Sequence, residues 1–164
     1  MKKALLTLPV IFMCMAAFAQ NIPPVDGVRM ETDQDYRNAD SLVMQVSRYL
    51  LSIPLNNDNH TRLRTGLFLT RWMQGSPQFN VAPNDRVLKY IDSDVDLLSV
   101  YYAALCSFVL QYPSVKDSNT VTLNAAKELV AYMNKSSNHV ILTRRLKKLC
   151  DADNKGELKS FLKL

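Results

Sequence analysis

Asp92–Pro113 reads DSDVDLLSVYYAALCSFVLQYP. Placed around a helix at steps of about 100°, these side chains leave one narrow polar strip, made by Asp96, Ser99 and Ser107. A helix that is apolar nearly all round must be covered on nearly all sides, so this one is central, over about 94–111. Asp92 or Asp94 supplies its N-cap, and Pro113 closes it because proline cannot continue the hydrogen-bond ladder.

On the N-terminal side, Leu42, Val43, Val46, Tyr49, Leu50 and Ile53 fall on one helical face and Gln45, Arg48 and Ser52 on the other. Asp40 reads as the cap of this helix, which starts at Ser41, and Pro54 as its stop. A second helix covers Thr61 to Gln74, ended by Gly75 with Pro77 beyond it. Gly66 within it predicts close packing against another backbone, since glycine otherwise weakens a helix. NDRVLKYI forms a short helix capped by Asn84.

On the C-terminal side, a helix from about Thr120 to Asn134 turns Val121, Ala125, Leu129, Tyr132 and Met133 inward. Another, from Asn138 to Cys150, sets Leu142, Leu146 and Leu149 opposite Arg144, Lys147 and Lys148, with Arg145 at the margin. GELKSFLKL adds a last short helix. No alternating apolar pattern supports a strand, and no residue pattern recurs at a fixed period. The expected fold is all-α: a compact bundle of five or six helices around the central one, with Trp72 in the core.

The chain opens MKKALLTLPVIFMCMAAFAQ: two lysines, an apolar run from Ala4 to Ala16, then Ala17-Phe18-Ala19. That order is a secretory signal, and the run is shorter than the roughly 20 residues of a membrane-spanning helix. Residues 1–19 are therefore expected to be a signal peptide cleaved after Ala19, with 20–38 a flexible leader and 39–164 a single helical domain. Bulky Met13 argues against lipidation at Cys14. No stretch after the signal is apolar for long enough to cross a membrane, and the expected location is periplasmic or secreted.

Twenty Lys and Arg face 15 Asp and Glu, a net +5 that falls to +3 without Lys2 and Lys3. From Gln20 to Ala126 there are 9 basic and 11 acidic residues, whereas Lys127 to Leu164 holds 9 basic and 4 acidic. Export removes nucleic acid as the usual partner of a basic segment, leaving an envelope protein or an anionic envelope surface. Cys106 and Cys150 remain after processing. Their count permits one disulfide in an oxidising compartment, and Cys106 in AALCSFVL reads equally as a small buried apolar residue.

Asp151–Leu158, DADNKGEL, begins like a calcium loop. Asp151, Asp153, Gly156 and Leu158 stand where such a loop needs them, but Lys155 replaces the fifth ligand and Leu162 the closing glutamate. No metal is expected there. Asp92, Asp94 and Asp96 form the other carboxylate cluster, suited to a hydrolase acid and base or simply to a helix N-terminus. His60 and His139 stand apart from any nucleophile or zinc motif, and no Gly-rich phosphate loop occurs, so no cofactor is expected.

FLTRWMQGSPQFNV, Phe68 to Val81, resembles a stretch of secreted helical proteins of Bacteroidetes with no assigned function: an apolar helix ending in tryptophan, a Ser-Pro turn, then an extended apolar piece. Gln20 directly after AFA is similar to signal cleavage sites of that group. The resemblance implies a periplasmic or secreted location and carries no catalytic residue. The expected function is that of a small exported binding or adaptor protein, with Arg144, Arg145, Lys147 and Lys148 as its surface. The alternatives are a hydrolase built on Asp92, Asp94 or Asp96, and a binder of a small apolar ligand between helices.

Overall fold

A computed structural model of the chain describes residues 22–55, 59–91 and 94–164. Among these residues the chain forms seven α-helices and no strand: α1 (Asp33–Ser52), α2 (Asn59–Gly75), α3 (Asp85–Ile91), α4 (Val95–Gln111), α5 (Ser118–Asn134), α6 (Arg144–Asn154) and α7 (Leu158–Phe161). A 3₁₀ turn, Ser136–Asn138, follows α5. The segment read as a signal peptide, with Cys14, lies outside the described residues, and so does Asp92. The fold is the all-α bundle expected from periodicity. None of the described helices is long and apolar enough to cross a membrane.

α4 is the axis, packed against α1, α2, α3 and α5. Leu97, Val100, Tyr101, Leu105 and Cys106 are all fully buried on it. Even two members of its polar strip are covered. Ser99 Oγ donates to the Val95 carbonyl at 3.0 Å, and Ser107 Oγ accepts from Gln111 Nε2 at 2.6 Å. Of the two candidate caps, Asp94 takes the role, its Oδ1 accepting from the Leu97 amide at 3.0 Å.

Gly66 is where α2 meets α4. A Cβ built on it would stand 2.7 Å from Ser99 Oγ, so the close neighbour is a side chain on α4 rather than its backbone. Trp72, fully buried, ties α2 to α1: its Nε1 donates to the Tyr36 carbonyl at 3.2 Å and to Asp40 Oδ1 at 3.1 Å.

That contact corrects the start of the first helix. Asp40 is not its cap; its other oxygen accepts from Gln78 Nε2 at 2.6 Å, holding the turn after α2. α1 begins instead at Asp33, capped by Thr32, whose hydroxyl accepts from the Asp35 amide while the Asp35 carboxylate accepts from the Thr32 amide. This reciprocal capping box uses aspartate where glutamate is usual. The expected leader is correspondingly shorter, and its described part lies along α2. Pro23 and Met30 are buried, Arg71 donates to the Val28 and Met30 carbonyls, and Arg64 pairs with Asp26 at 3.1 Å.

Candidate functional site

The basic helix starts later than its apolar spacing predicts. Residues 139–143 are not helical: His139 adopts a left-handed conformation with φ 54°, and Thr143 is the N-cap of α6, its hydroxyl accepting from the Leu146 amide at 3.3 Å. Val140, Ile141 and Thr143 are β-branched, which lowers their helix propensity, and Thr143 itself is extended. Leu146, Leu149, Cys150 and Ala152 are buried, while Arg144, Arg145, Lys147 and Lys148 are exposed on the opposite side.

This placement reverses the electrostatics expected for a helix from Asn138 to Cys150. Arg144 and Arg145 lie in the first turn of α6, where the macrodipole is positive, Lys147 and Lys148 just beyond it, and Asp151 and Asp153 in the last turn, where it is negative. Within the helix each Lys precedes its acidic neighbour, the weaker orientation for pairs three or four residues apart. Among the described residues, the side chains of Arg144, Lys147 and Lys148 make no ion pair or hydrogen bond; Arg145 has an interaction of its own. Their charge is a local cost to α6, not an optimisation of it.

The end of α6 accounts for the calcium-like stretch. Asp151 and Asp153 belong to the helix, Gly156 takes a left-handed φ of 72°, and the amides of Gly156 and Glu157 donate to the carbonyls of Asp153 and Ala152, both at 2.8 Å. These two bonds make a Schellman ending. Asp151 and Asp153, beyond the expected helix end at Cys150, are helical, and the glycine serves the helix terminus.

The aspartate cluster divides in the same way. Asp94 is engaged as the α4 cap, while Asp96 stands 3.9 Å from Arg62 Nε. Burial raises the Asp96 pKa; the Arg62 charge opposes that rise and Asp94 adds to it. Arg62 is the residue that sequence reasoning missed. It is fully buried, and its Nη2 donates to the carbonyls of Ile53 (3.0 Å) and Pro54 (2.8 Å). Tyr132 joins them, donating to the Ile53 carbonyl at 2.6 Å. The cation thus sits against the carbonyl end of α1, where the dipole favours it. The buried stripe Trp72, Leu69, Thr65 runs one turn further back to Arg62, and that phase was the available signal.

Cys106 and Cys150 are buried free thiols, not a disulfide, and burial pushes both pKa values up. His60 and His139 are exposed on separate segments. The surface also carries grooves, two of which bear on ligand binding. One, of about 290 Å³, is bordered by Met73, Phe79, Val81, Pro83 and Tyr102. The other, of about 610 Å³, is more polar and is bordered by Ser107, Phe108, Gln111, Tyr112, Asn124 and Glu128.

No protein-family model, curated protein or solved structure matches the chain.

Proposed function

We propose that this chain is a small exported binding protein that docks through the basic face of α6, Arg144, Arg145, Lys147 and Lys148, onto an acidic envelope protein or an anionic envelope surface. The observation that carries the reading is the position of these cations. Arg144 and Arg145 open the first turn of α6, where an exposed cation opposes the macrodipole by a few tenths of a kcal/mol up to about 1, and Lys147 and Lys148 follow beyond it with no compensating acidic residue before them in the helix. The helix dipole gives no reason for this concentration of cations at the start of α6, whereas an anionic partner does. Export, read from the N-terminal segment, and the resemblance of Phe68–Val81 to secreted helical proteins give the setting.

The hydrolase reading draws less support, because Asp94 is engaged as a cap and Asp96 faces a buried arginine. The apolar-ligand reading rests on the groove beside Met73 and Phe79, which lies at the small end of the roughly 300–1,000 Å³ of ligand sites. In-cell crosslinking from the exposed position 151, one turn along α6 from Lys147 and Lys148, followed by mass spectrometry tests the proposal. The expected outcome is one dominant envelope component, lost when Arg144, Lys147 and Lys148 are replaced by glutamine. Equal yields from the variant would refute it.

A further inference from the structure

Ile141 is 87% exposed, more than any other large apolar side chain among the described residues. Its surroundings are fixed rather than loose. Asn138 below it is buried, donates to the Tyr132 carbonyl at 2.9 Å and accepts from the Leu55 amide at 3.1 Å. Val140 and Leu142 on either side pack on the core. With both neighbours packed on the core, Ile141 is the one left facing solvent. It stands two residues before the Thr143 cap, hence at the cationic end of α6. From Leu129 to Cys150 the chain carries no acidic residue, and it holds Lys135, Arg144, Arg145, Lys147 and Lys148.

Resting on the docking surface proposed above, we infer that the partner of α6 is a bilayer bearing anionic phospholipid headgroups, into which Ile141 inserts while the cations sit among the phosphates. A single exposed apolar residue is ordinary on a protein surface. Beside a patch of one sign it acquires a use, because peripheral membrane binding combines buried apolar area with attraction to anionic lipid. A soluble polyanion would satisfy the cations and leave Ile141 in water. The bilayer satisfies both.

The test places an environment-sensitive fluorophore on Ile141→Cys, the native Cys106 and Cys150 being buried. It uses the chain from Gln20 onward, whose described core runs from Met30 to Leu162, with circular dichroism to confirm folding. Vesicles of phosphatidylcholine, with and without phosphatidylglycerol, are the probe. The fluorophore is expected to shift to the blue only when phosphatidylglycerol is present, and increasingly less as salt rises. In unlabelled chains, Ile141→Ser is expected to weaken vesicle binding about tenfold or more with the salt dependence unchanged, since an apolar side chain of this size is lost from the interface. Replacing Arg144, Lys147 and Lys148 by glutamine is expected to weaken it by about a hundredfold, from the contribution of each cation near an anionic leaflet.

Salt-dependent vesicle binding with a probe that stays in water and an Ile141→Ser variant that binds normally would overturn the insertion while leaving the basic docking surface. Binding to heparin or to a crosslinked protein, with none to the vesicles, would overturn the lipid as partner and keep that surface. No salt-dependent binding to any of these would remove both.

Discussion

Replacing Asp94 by asparagine keeps a side-chain oxygen for the Leu97 amide and removes the carboxylate, whereas alanine removes both. As a cap, Asp94→Ala is expected to cost about 1 kcal/mol and Asp94→Asn only a fraction of that, because asparagine caps as well as aspartate. Thermal unfolding of the two variants measures the difference; an Asp94→Asn variant that melts normally but loses a hydrolytic activity would speak for the carboxylate instead. Asp117 extends the argument to pH. Its Oδ2 accepts from Thr120 Oγ1 at 2.6 Å and from the Thr120 amide at 2.8 Å, and these bonds hold its pKa below the ordinary 3.8. A depressed carboxyl pKa contributes stability that is present above the unfolded value and lost as pH falls through the folded one. The advantage of wild type over Asp117→Ala should therefore be constant near neutrality and shrink below about pH 4, as followed by melting in parallel buffers. Arg62 belongs to this scale too: its Nη2 donates to the Ile53 and Pro54 carbonyls just before α2, while Tyr132, which shares the Ile53 carbonyl, lies 70 residues away in sequence.

At the scale of elements, the α2–α4 contact depends on the missing side chain of Gly66. Alanine is the better helix former by about 1 kcal/mol, yet Gly66→Ala is expected to destabilise, because its methyl would press on Ser99 Oγ at 2.7 Å. Removing that hydroxyl with Ser99→Ala in the same chain should recover much of the loss, since Ser99 Cβ lies at an ordinary 3.4 Å. A denaturant double-mutant cycle reads the coupling, and additivity would show that the contact does not limit the packing. Trp72 is the corresponding tie between α1 and α2. Trp72→Ala should cost about 3–5 kcal/mol, checked by denaturant unfolding; a loss below about 1 kcal/mol would contradict the core position. Both helix starts that differ from expectation have a local cause. α1 begins early because Thr32 and Asp35 form a capping box with aspartate as its acidic partner. α6 begins late because Thr143 caps it, and Leu142 continues the spacing of Leu146 and Leu149 in the non-helical segment before the cap, so apolar periodicity runs through a break that only the β-branched residues mark.

For the whole molecule, the legible part was what one helix required of the others. α4, with covering needed on nearly every side, made a bundle out of the amphipathic segments around it, and the structure surrounds it with α1, α2, α3 and α5. Nothing in periodicity could place Arg62 beside Asp96, because that contact joins two helices through tertiary packing. The exposure of the basic residues was legible in their spacing, and their place along the helix was not. Arg144, Lys147 and Lys148 are exposed opposite the buried leucines, as their spacing predicts, but the shift of the α6 start puts Arg144 at the unfavourable end of the helix and takes Lys147 and Lys148 out of its favourable last turn. Their replacement by glutamine should then raise stability by about 1 kcal/mol, where a dipole-stabilising role would lower it. The most direct test of the account is a salt titration of binding to isolated envelopes, wild type against the Arg144→Gln, Lys147→Gln, Lys148→Gln chain, with folding checked by melting. The account predicts wild-type retention that falls steeply as salt rises and a variant that is not retained even at low salt while melting no lower than wild type. A folded variant retained like wild type at every salt concentration would contradict it.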